Sequence, residues 1–92
     1  MKITLLSKPG FSGNMLVRKI EEVAKSQLMD IEVFLNEHLQ EADVVLLTPQ
    51  RSEDLKEIKK VVKVPVGVIS LRDYGLFDGS SIIKYAKQLI QK

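Results

Sequence analysis

Val44-Val-Leu-Leu47 is a short, uninterrupted run of apolar residues between Asp43 and Thr48. A run of this length, rich in β-branched residues, is typical of a strand that is buried on both faces of a parallel sheet. Three comparable runs occur elsewhere in the chain. They are Ile3, Leu5 and Leu6 near the start, residues 31–35, and residues 66–69.

Segments with helical periodicity alternate with these runs. Apolar residues recur in them at every third or fourth position, as on a helix that packs one face against a sheet. The second segment begins with Glu53 and Asp54 and ends with lysines, which is the order that the helix dipole favours. Asp78 and Ser80 are the candidates for the N-cap of the last helix. The predicted helices span residues 12–27, 52–62 and 80–90, and residues 36–42 form a turn or one or two helical turns.

Strands that alternate with helices are connected by right-handed crossovers into a parallel sheet. We expect an α/β, flavodoxin-like, doubly wound domain over residues 1–92, with four strands in the order 2-1-3-4. Ligands of such sheets bind beyond the carboxyl ends of the strands, where the strand order reverses. That point lies between the first and third strands. Residues 7–14 and 48–50 are expected to meet there, with residues 70–79 approaching from the side.

Composition excludes several classes of protein. The chain has 92 residues, a net charge of +2 and no cysteine. So small a charge does not indicate nucleic-acid binding without a clustered basic face. The lack of cysteine excludes disulfides, thiolate metal sites and a cysteine nucleophile. Neither an apolar run of about 18 residues nor a signal-peptide pattern occurs, so we expect a cytoplasmic monomer that does not insert into the membrane.

The loop Ser-Lys-Pro-Gly-Phe-Ser-Gly-Asn, residues 7–14, leads from the first strand into the first helix. The first amide groups of a helix have no partner and carry the positive end of its dipole. The two glycines allow the backbone to turn several N–H groups onto one anion. The loop predicts a site for a phosphoryl group or another small oxyanion, and the alternative is a plain turn with a serine N-cap. The residues concerned are Ser7, Lys8, Gly10, Phe11, Ser12, Gly13 and Asn14.

Other phosphate-binding loops do not fit these residues. The loop does not end in Gly-Lys-Ser/Thr, so it is not a Walker A loop, and Gly10-Phe-Ser-Gly13 is not G-x-G-x-x-G. A phosphatase loop with Cys and Arg at its two ends is also excluded. A receiver-type phosphoacceptor needs aspartates at the ends of the first and third strands, where this chain has Ser7 and Thr48.

Two segments, taken in order and at their spacing, resemble the enzyme IIB component of the lactose/cellobiose class of the bacterial sugar phosphotransferase system. They are Ala42-Asp-Val-Val-Leu-Leu-Thr-Pro-Gln50 and Tyr74-Gly-Leu-Phe-Asp-Gly79, and the resemblance covers essentially the whole chain. It implies a phosphocarrier that takes a phosphoryl group from a phosphohistidine on enzyme IIA. The carrier passes this group to a sugar of the cellobiose, lactose or chitobiose type, bound by the membrane component enzyme IIC. No metal or organic cofactor is implied, and Thr48, Pro49 and Gln50 form the neighbouring loop.

The resemblance also implies an acceptor cysteine at the end of the first strand, where this chain has Ser7. Gly10 and Ser12 match the family loop Cys-x-x-Gly-Met-Ser-Thr, whereas Pro9 removes a backbone donor. A serine hydroxyl without an adjacent base is a weak nucleophile, and the single histidine, His38, is expected on the surface. Three explanations stay open: an engineered Cys→Ser change, a diverged member that only binds a partner, or a serine that accepts phosphate.

Further charged and aromatic residues are predicted near the same edge of the sheet. Arg51, Arg72 and Asp73 either position a partner loop or assist anion binding, or they are solvated loop charges. Phe11 and Tyr74 either contact enzyme IIA as aromatic anchors or pack in the core. The alternative function for the chain is a non-catalytic IIB-like module that binds a partner or regulates.

Overall fold

Four parallel strands form a single sheet in a computed structural model that describes residues 1–91. The strands lie side by side in the order β2-β1-β3-β4, and every neighbouring pair is parallel. The predicted parallel sheet and its order 2-1-3-4 are therefore confirmed. The expected domain ends at Lys92, which lies outside the described residues. The strands are β1 (Lys2–Leu6), β2 (Glu32–Leu35), β3 (Val44–Leu47) and β4 (Val66–Val68).

Helices cover both faces of the sheet, because the two inner strands are apolar on both sides. Ile3, Leu5, Val44 and Leu46 pack with apolar residues of the first and last helices. The side chains between them, such as Leu6 and Leu47, pack with the second helix. The helices are α1 (Gly13–Ser26), α2 (Leu55–Val61), α3 (Leu71–Gly75) and α4 (Gly79–Ile90), with 3₁₀ segments at Leu39–Glu41 and Pro49–Asp54.

The start of α2 differs from the prediction. The sequence predicts a helix from residue 52, but α2 begins at Leu55 and the 3₁₀ segment Pro49–Asp54 precedes it. Arg51 interrupts the helical geometry with φ −110° and ψ 15°. Its guanidinium Nε donates to a carboxylate oxygen of Asp54 at 2.9 Å. This local pair stabilises the tighter turn and delays the start of the α-helix.

The segment after β4 also differs from the prediction. Residues 70–79 are expected to form a turn, yet Leu71–Gly75 forms α3. Five residues are too few for helical periodicity to be recognised. The signal that the sequence does carry is the spacing Ser70-x-x-Asp73, because the Ser70 hydroxyl accepts from the Asp73 amide at 3.1 Å. At α4 the predicted N-cap is confirmed, since the Asp78 carboxylate accepts from the Ser81 amide at 3.0 Å.

Candidate functional site

Two hydroxyl residues stand side by side where β1 and β3 end. Ser7 and Thr48 are the first residues after these strands, and the Thr48 amide donates to the Leu6 carbonyl at 3.0 Å. Side chains alternate along a strand, so Ser7 follows Leu5, and Thr48 follows Leu46, onto the sheet face that α1 and α4 cover. The predicted meeting of residues 7–14 with residues 48–50 is therefore present in the structure.

Ser7 is enclosed rather than presented to solvent. Its residue is 4% exposed, and its amide donates to the Asn36 side-chain oxygen at 2.8 Å. A Cβ on Gly13 would lie 3.1 Å from the Ser7 Oγ and 2.9 Å from a methyl carbon of Leu35, so the side chains of Ser7 and Leu35 would have to shift to admit any larger residue at position 13. The Ser7 hydroxyl has one long hydrogen bond, to the Lys8 carbonyl at 3.4 Å. No carboxylate, imidazole or amine among residues 1–91 is hydrogen-bonded to it, so no base activates it in this arrangement.

The backbone between Lys8 and Asn14 uses few of its own amide groups. The Phe11 amide donates to the Lys8 carbonyl at 3.2 Å, and the Gly13 amide donates to the Phe11 carbonyl at 2.6 Å. Gly10 has a φ of 85°, in the left-handed region that favours glycine. Five further amide N–H groups of residues 8–15 have no acceptor within residues 1–91. They belong to Lys8, Gly10, Ser12, Asn14 and Met15.

Helix α1 begins without a side-chain cap. Ser12 occupies the N-cap position, but its hydroxyl accepts no amide hydrogen from residues 1–91. The alternative interpretation of the loop, a plain turn with a serine cap, therefore lacks its capping hydrogen bond. The φ of −72° and ψ of 41° at Ser12 lie outside the extended region from which a cap side chain normally reaches back. Residues 13–16 contain no acidic side chain either. The positive end of the α1 dipole therefore has no counter-charge of its own, which favours an external anion.

Thr48 carries a second unusual hydroxyl. The residue is fully buried, and its Oγ1 has no hydrogen-bond partner within residues 1–91. The side-chain oxygen of Gln50 is also buried without a partner in this part of the chain. An unpaired buried polar group costs about 1–3 kcal/mol, and most native proteins contain only a few of them. The predicted neighbouring loop, in which Pro49 begins the 3₁₀ segment, thus holds two unsatisfied polar atoms.

Lys8 connects the two loops. Its Nζ lies 3.3 Å from a carboxylate oxygen of Glu53 in the 3₁₀ segment Pro49–Asp54. Both side chains are well exposed, so this ion pair contributes little to stability. The sequence analysis missed Glu53 at this site, because its position depends on how the 3₁₀ segment folds. An anion bound at the loop would compete with Glu53 for the lysine.

Phe11 and Tyr74 have different environments. Phe11 is 48% exposed, and Met15, one turn further on, is 47% exposed. With Ser12, Asn14 and Arg18 they line an open groove of about 270 Å³ beside the loop. Tyr74 instead packs against the buried cluster beneath α1 and α4. Phe11 thus offers an accessible contact, whereas Tyr74 belongs to the core. Met15 and Arg18 were missed, although their spacing of three residues places them on the same side of α1.

The charged residues that were predicted near this edge of the sheet form ion pairs with neighbouring side chains. The Arg72 guanidinium lies 2.8 Å from a carboxylate oxygen of Asp73 and 3.3 Å from one of Asp78, and Arg51 is paired in the same way with Asp54. Hydrogen bonds from the amide and the hydroxyl of Ser81, and secondarily the charge of Arg72, lower the pKa of Asp78 below its ordinary value. These pairs favour the interpretation of Arg51, Arg72 and Asp73 as structural loop charges.

His38 is a surface residue, as predicted. Its Nδ1 lies 2.9 Å from a carboxylate oxygen of Glu41, and both side chains are exposed. This hydrogen bond is the main cause that raises the pKa of His38 above its ordinary value. Its partner is therefore a local carboxylate and not the hydroxyl of Ser7.

Two further kinds of site are absent from the described part of the chain. No group of three or more His, Asp and Glu side chains within residues 1–91 has the geometry to hold a metal ion. Over the same residues, no helix combines the length and the apolar character needed to cross a membrane.

Comparison with known proteins gives consistent results. The chain matches the family model "PTS system, Lactose/Cellobiose specific IIB subunit" over residues 2–85. It is 32% identical to the oligo-beta-mannoside-specific EIIB component of Bacillus subtilis strain 168, over 97% of this chain and 95% of that protein. The solution structure of the cellobiose-specific IIB component from Borrelia burgdorferi has a TM-score of 0.77 at 29% identity, covering 99% of this chain and 92% of the other.

A second solved structure is similar in fold alone. The lactose-specific IIB domain from Streptococcus pneumoniae has a TM-score of 0.82 at 14% identity, covering 97% of this chain and 96% of the other. Fold and site together define a doubly wound α/β protein of the IIB type. The chain belongs to the lactose/cellobiose-specific IIB family of the phosphotransferase system, so the resemblance noted from the sequence is confirmed. IIB components of this system work with IIA and IIC partners.

Proposed function

We propose that this chain occupies the IIB position in a relay that moves a phosphoryl group from enzyme IIA towards a sugar bound by enzyme IIC. The sugar is of the cellobiose, lactose or chitobiose type. The family model names lactose and cellobiose, and the Borrelia burgdorferi relative names cellobiose. The loop of residues 7–14 is the site for the phosphoryl group, and Thr48, Pro49 and Gln50 stand beside it. Onward transfer is lost in this chain, because Ser7 replaces the acceptor cysteine of the family. The chain acts in the cytoplasm as a monomer and uses no metal or organic cofactor.

The unpaired amide groups at the start of α1 are the observation that supports this proposal most directly. Gly10, Ser12, Asn14 and Met15 have N–H groups without acceptors in the described part of the chain, and within it the helix has no side-chain cap. Such donors, together with the helix dipole, stabilise a phosphoryl dianion. Lys8 adds a positive charge that is already within reach of the neighbouring loop.

The partner surface lies next to this loop. Phe11 and Met15 are large apolar side chains that are about half exposed, and Arg18 lines the same groove. Apolar anchors beside an arginine are common among the residues that dominate protein–protein binding. We propose that enzyme IIA docks here, so that its phosphohistidine reaches the start of α1.

Ser7 limits what this chain can do with the phosphoryl group. It stands where the family has its acceptor cysteine, it is 4% exposed, and no base is hydrogen-bonded to it. We therefore expect the chain to form no lasting covalent phosphoryl adduct, and a cysteine at this position to form one. The burial of Ser7 favours, as a second candidate function, a module that binds a phosphotransferase partner without transferring phosphate.

Intact mass spectrometry tests the relay directly. The chain and its Ser7→Cys variant are incubated with phosphoenolpyruvate, the general phosphotransferase proteins and a cellobiose- or lactose-class IIA. We expect a phosphoryl adduct on Ser7→Cys alone, because a thiolate at a helix N-terminus is a far better nucleophile than an enclosed hydroxyl.

Ser7→Ala is the matched control, since it removes the hydroxyl without adding a thiol. An adduct on the native chain that is lost in Ser7→Ala means that Ser7 is a true acceptor and that our expectation is wrong. If IIA is shown to be phosphorylated and neither the native chain nor Ser7→Cys gains an adduct, the relay proposal fails and the binding module is favoured.

A further inference from the structure

The buried hydroxyls of Ser7 and Thr48 are neighbours at the ends of two adjacent strands. Ser7 and Thr48 extend adjacent, paired strands onto the same sheet face. Thr48 Oγ1 is fully buried and has no partner within residues 1–91, and Ser7 Oγ has a single long bond at 3.4 Å. Neighbouring strands lie about 4.8 Å apart, so two hydroxyls on the same face of adjacent strands come within hydrogen-bonding reach after a change of rotamer. Ser7 leads directly into the loop of residues 8–14, whereas Thr48 leads into the 3₁₀ segment Pro49–Asp54.

We infer that the loop is a non-covalent receptor for a phosphoryl dianion, in which Thr48 Oγ1 donates to Ser7 Oγ and Ser7 Oγ donates to the anion. This inference rests on the phosphoryl site proposed for residues 7–14 and deepens it. It makes Thr48 a positioning residue that acts through Ser7. The phosphoryl group keeps all its bonds, and no new bond to Ser7 forms.

The hydrogen bonds balance in this arrangement. Without an anion, the Ser7 hydrogen goes to the Lys8 carbonyl at a poor distance, and the Thr48 hydrogen has no acceptor within residues 1–91. With an anion bound, Ser7 gives its hydrogen to a phosphoryl oxygen, and its own oxygen becomes the acceptor for Thr48. A donor that stands behind another donor strengthens the outer hydrogen bond. Binding of the anion thus gives the Thr48 hydroxyl an acceptor and makes the Ser7 hydroxyl a donor to the anion.

The surrounding charges select a dianion. The amides of Gly10, Ser12, Asn14 and Met15, which have no acceptor within residues 1–91, only donate, and residues 13–16 contain no carboxylate. Lys8 is cationic, and an anion has to displace the Glu53 carboxylate that lies 3.3 Å from it. Each of these features favours an acceptor with several oxygens and more than one negative charge. Two sources supply that chemistry: free inorganic phosphate and the phosphohistidine of a IIA protein.

Inorganic phosphate is the first probe, measured with the native chain and no phosphotransferase protein present. We expect saturable shifts of the amide resonances of Gly10, Ser12, Asn14 and Met15 in ¹H–¹⁵N spectra. The shifts are larger at pH 8 than at pH 5.5, because inorganic phosphate becomes a dianion as pH rises through its second pKa, which lies near neutral pH and above that of a phosphate ester. Intact mass stays unchanged throughout. Shifts that match those caused by chloride at equal ionic strength would falsify the inference.

Variants at Thr48 separate a positioning role from a structural one. Thr48→Val keeps the shape and removes the hydroxyl, so we expect phosphate to bind about three- to tenfold more weakly. The same variant has a higher melting temperature than the native chain, because an unpaired buried hydroxyl has been removed. Thr48→Ser restores the affinity to within about twofold. Equal phosphate affinity in Thr48→Val and the native chain overturns the role of Thr48.

A second arm identifies the source of the anion. The native chain is titrated with phosphorylated and with unphosphorylated IIA. If the native chain binds phosphorylated IIA more tightly than unphosphorylated IIA, and Thr48→Val reduces this preference by the same factor as it reduces phosphate affinity, the site belongs to the partner's phosphohistidine. Equal binding of the two forms of IIA assigns the site to free phosphate. The experiments distinguish a failure of the proposed relay from a failure of the proposed phosphate receptor. The relay fails when Ser7→Cys gains no adduct, and the receptor fails when inorganic phosphate moves no loop amide.

Discussion

Helices α1 and α4 cover the same face of the sheet, yet their first turns differ. At α4, the Asp78 carboxylate accepts from the amide and from the hydroxyl of Ser81, each at 3.0 Å, and it also lies 3.3 Å from Arg72. At α1, Ser12 makes no such contact within residues 1–91. One helix start is closed by a carboxylate of its own chain, and the other is open to an external anion.

The charge of each helix start follows from this difference. The hydrogen bonds from Ser81, followed by the charge of Arg72, lower the pKa of Asp78, so that carboxylate stays ionised to unusually low pH. Helix α4 thus has a permanent anion at its positive end. Helix α1 has instead the cationic Lys8 in the loop that precedes it. The contrast indicates that α4 has a structural role, and it agrees with the anion site that we propose at the start of α1.

The largest loss of stability is expected when the contact between the start of α4 and the backbone of α1 is disturbed. In Gly79→Ala, the new Cβ lies 2.7 Å from the backbone carbonyl oxygen of Lys19, and backbone cannot move aside cheaply. Overpacking of this kind costs about 1–3 kcal/mol. We expect the melting temperature of Gly79→Ala to fall by about 4–8 °C for each kcal/mol lost, as measured by circular dichroism. Changes at the open start of α1 are expected to cost less stability.

Gly75→Ala is the matched control for this substitution. Gly75 lies in α3, and a Cβ there meets no heavy atom of residues 1–91 within 4 Å. Alanine is favoured over glycine in a helix, so this variant is expected to be neutral or slightly stabilised. Equal melting temperatures for Gly75→Ala and Gly79→Ala contradict the idea that close contact with α1 limits position 79.

Removing the α4 cap is expected to have the second largest effect. Asp78→Ala leaves the Ser81 amide without its acceptor and lowers the melting temperature by several degrees at neutral pH. Because the folded-state pKa of Asp78 is lower than its ordinary value of 3.8, the carboxylate contributes stability above that value. This contribution is lost as pH falls through the folded-state pKa.

Thermal melts of the native chain and Asp78→Ala over a range of pH measure this dependence. We expect the two melting temperatures to converge as the medium becomes more acidic than the folded-state pKa. Asp78→Asn separates charge from hydrogen bonding, since its amide oxygen still accepts from Ser81 and it no longer attracts Arg72. A gap between native and Asp78→Ala that stays constant with pH is incompatible with an ionised cap.

The fold could be predicted because its signals are local. Runs such as Val44-Val-Leu-Leu47 and the helical periods between them are properties of neighbouring residues, and the rules of parallel connections supply the strand order. Short elements were not recognised. The five residues of α3 are too few for periodicity, and the start of α2 depends on the bond between Arg51 and Asp54.

The candidate site could be predicted only as a location. The loop of residues 7–14 follows from its glycines and from the strand before it. The enclosure of Ser7 by Gly13, the unpaired hydroxyl of Thr48 and the reach of Lys8 to Glu53 depend on contacts between segments that are distant in sequence. No local pattern encodes such contacts, so the structure was needed to find them.

The smallest effect on stability, and the most informative one, is expected when α1 is made to resemble α4. Ser12→Asp places a carboxylate at the uncapped start of α1. A negative charge in this position stabilises a helix by about 0.3–1 kcal/mol, so we expect a slightly higher melting temperature. We expect the same variant to lose most of its response to inorganic phosphate in ¹H–¹⁵N spectra, since its own carboxylate competes for the unpaired amides of Asn14 and Met15.

Ser12→Asn is the control, because it can accept the same hydrogen bonds without a negative charge. If Ser12→Asn still responds to phosphate while Ser12→Asp does not, the negative charge of the ligand is the property that the start of α1 recognises. A Ser12→Asp variant that binds phosphate as well as the native chain does would show that the anion lies elsewhere. The difference between the two helix starts would then be one of capping alone, because a carboxylate within the first turn cannot leave a dianion at the same amides undisturbed.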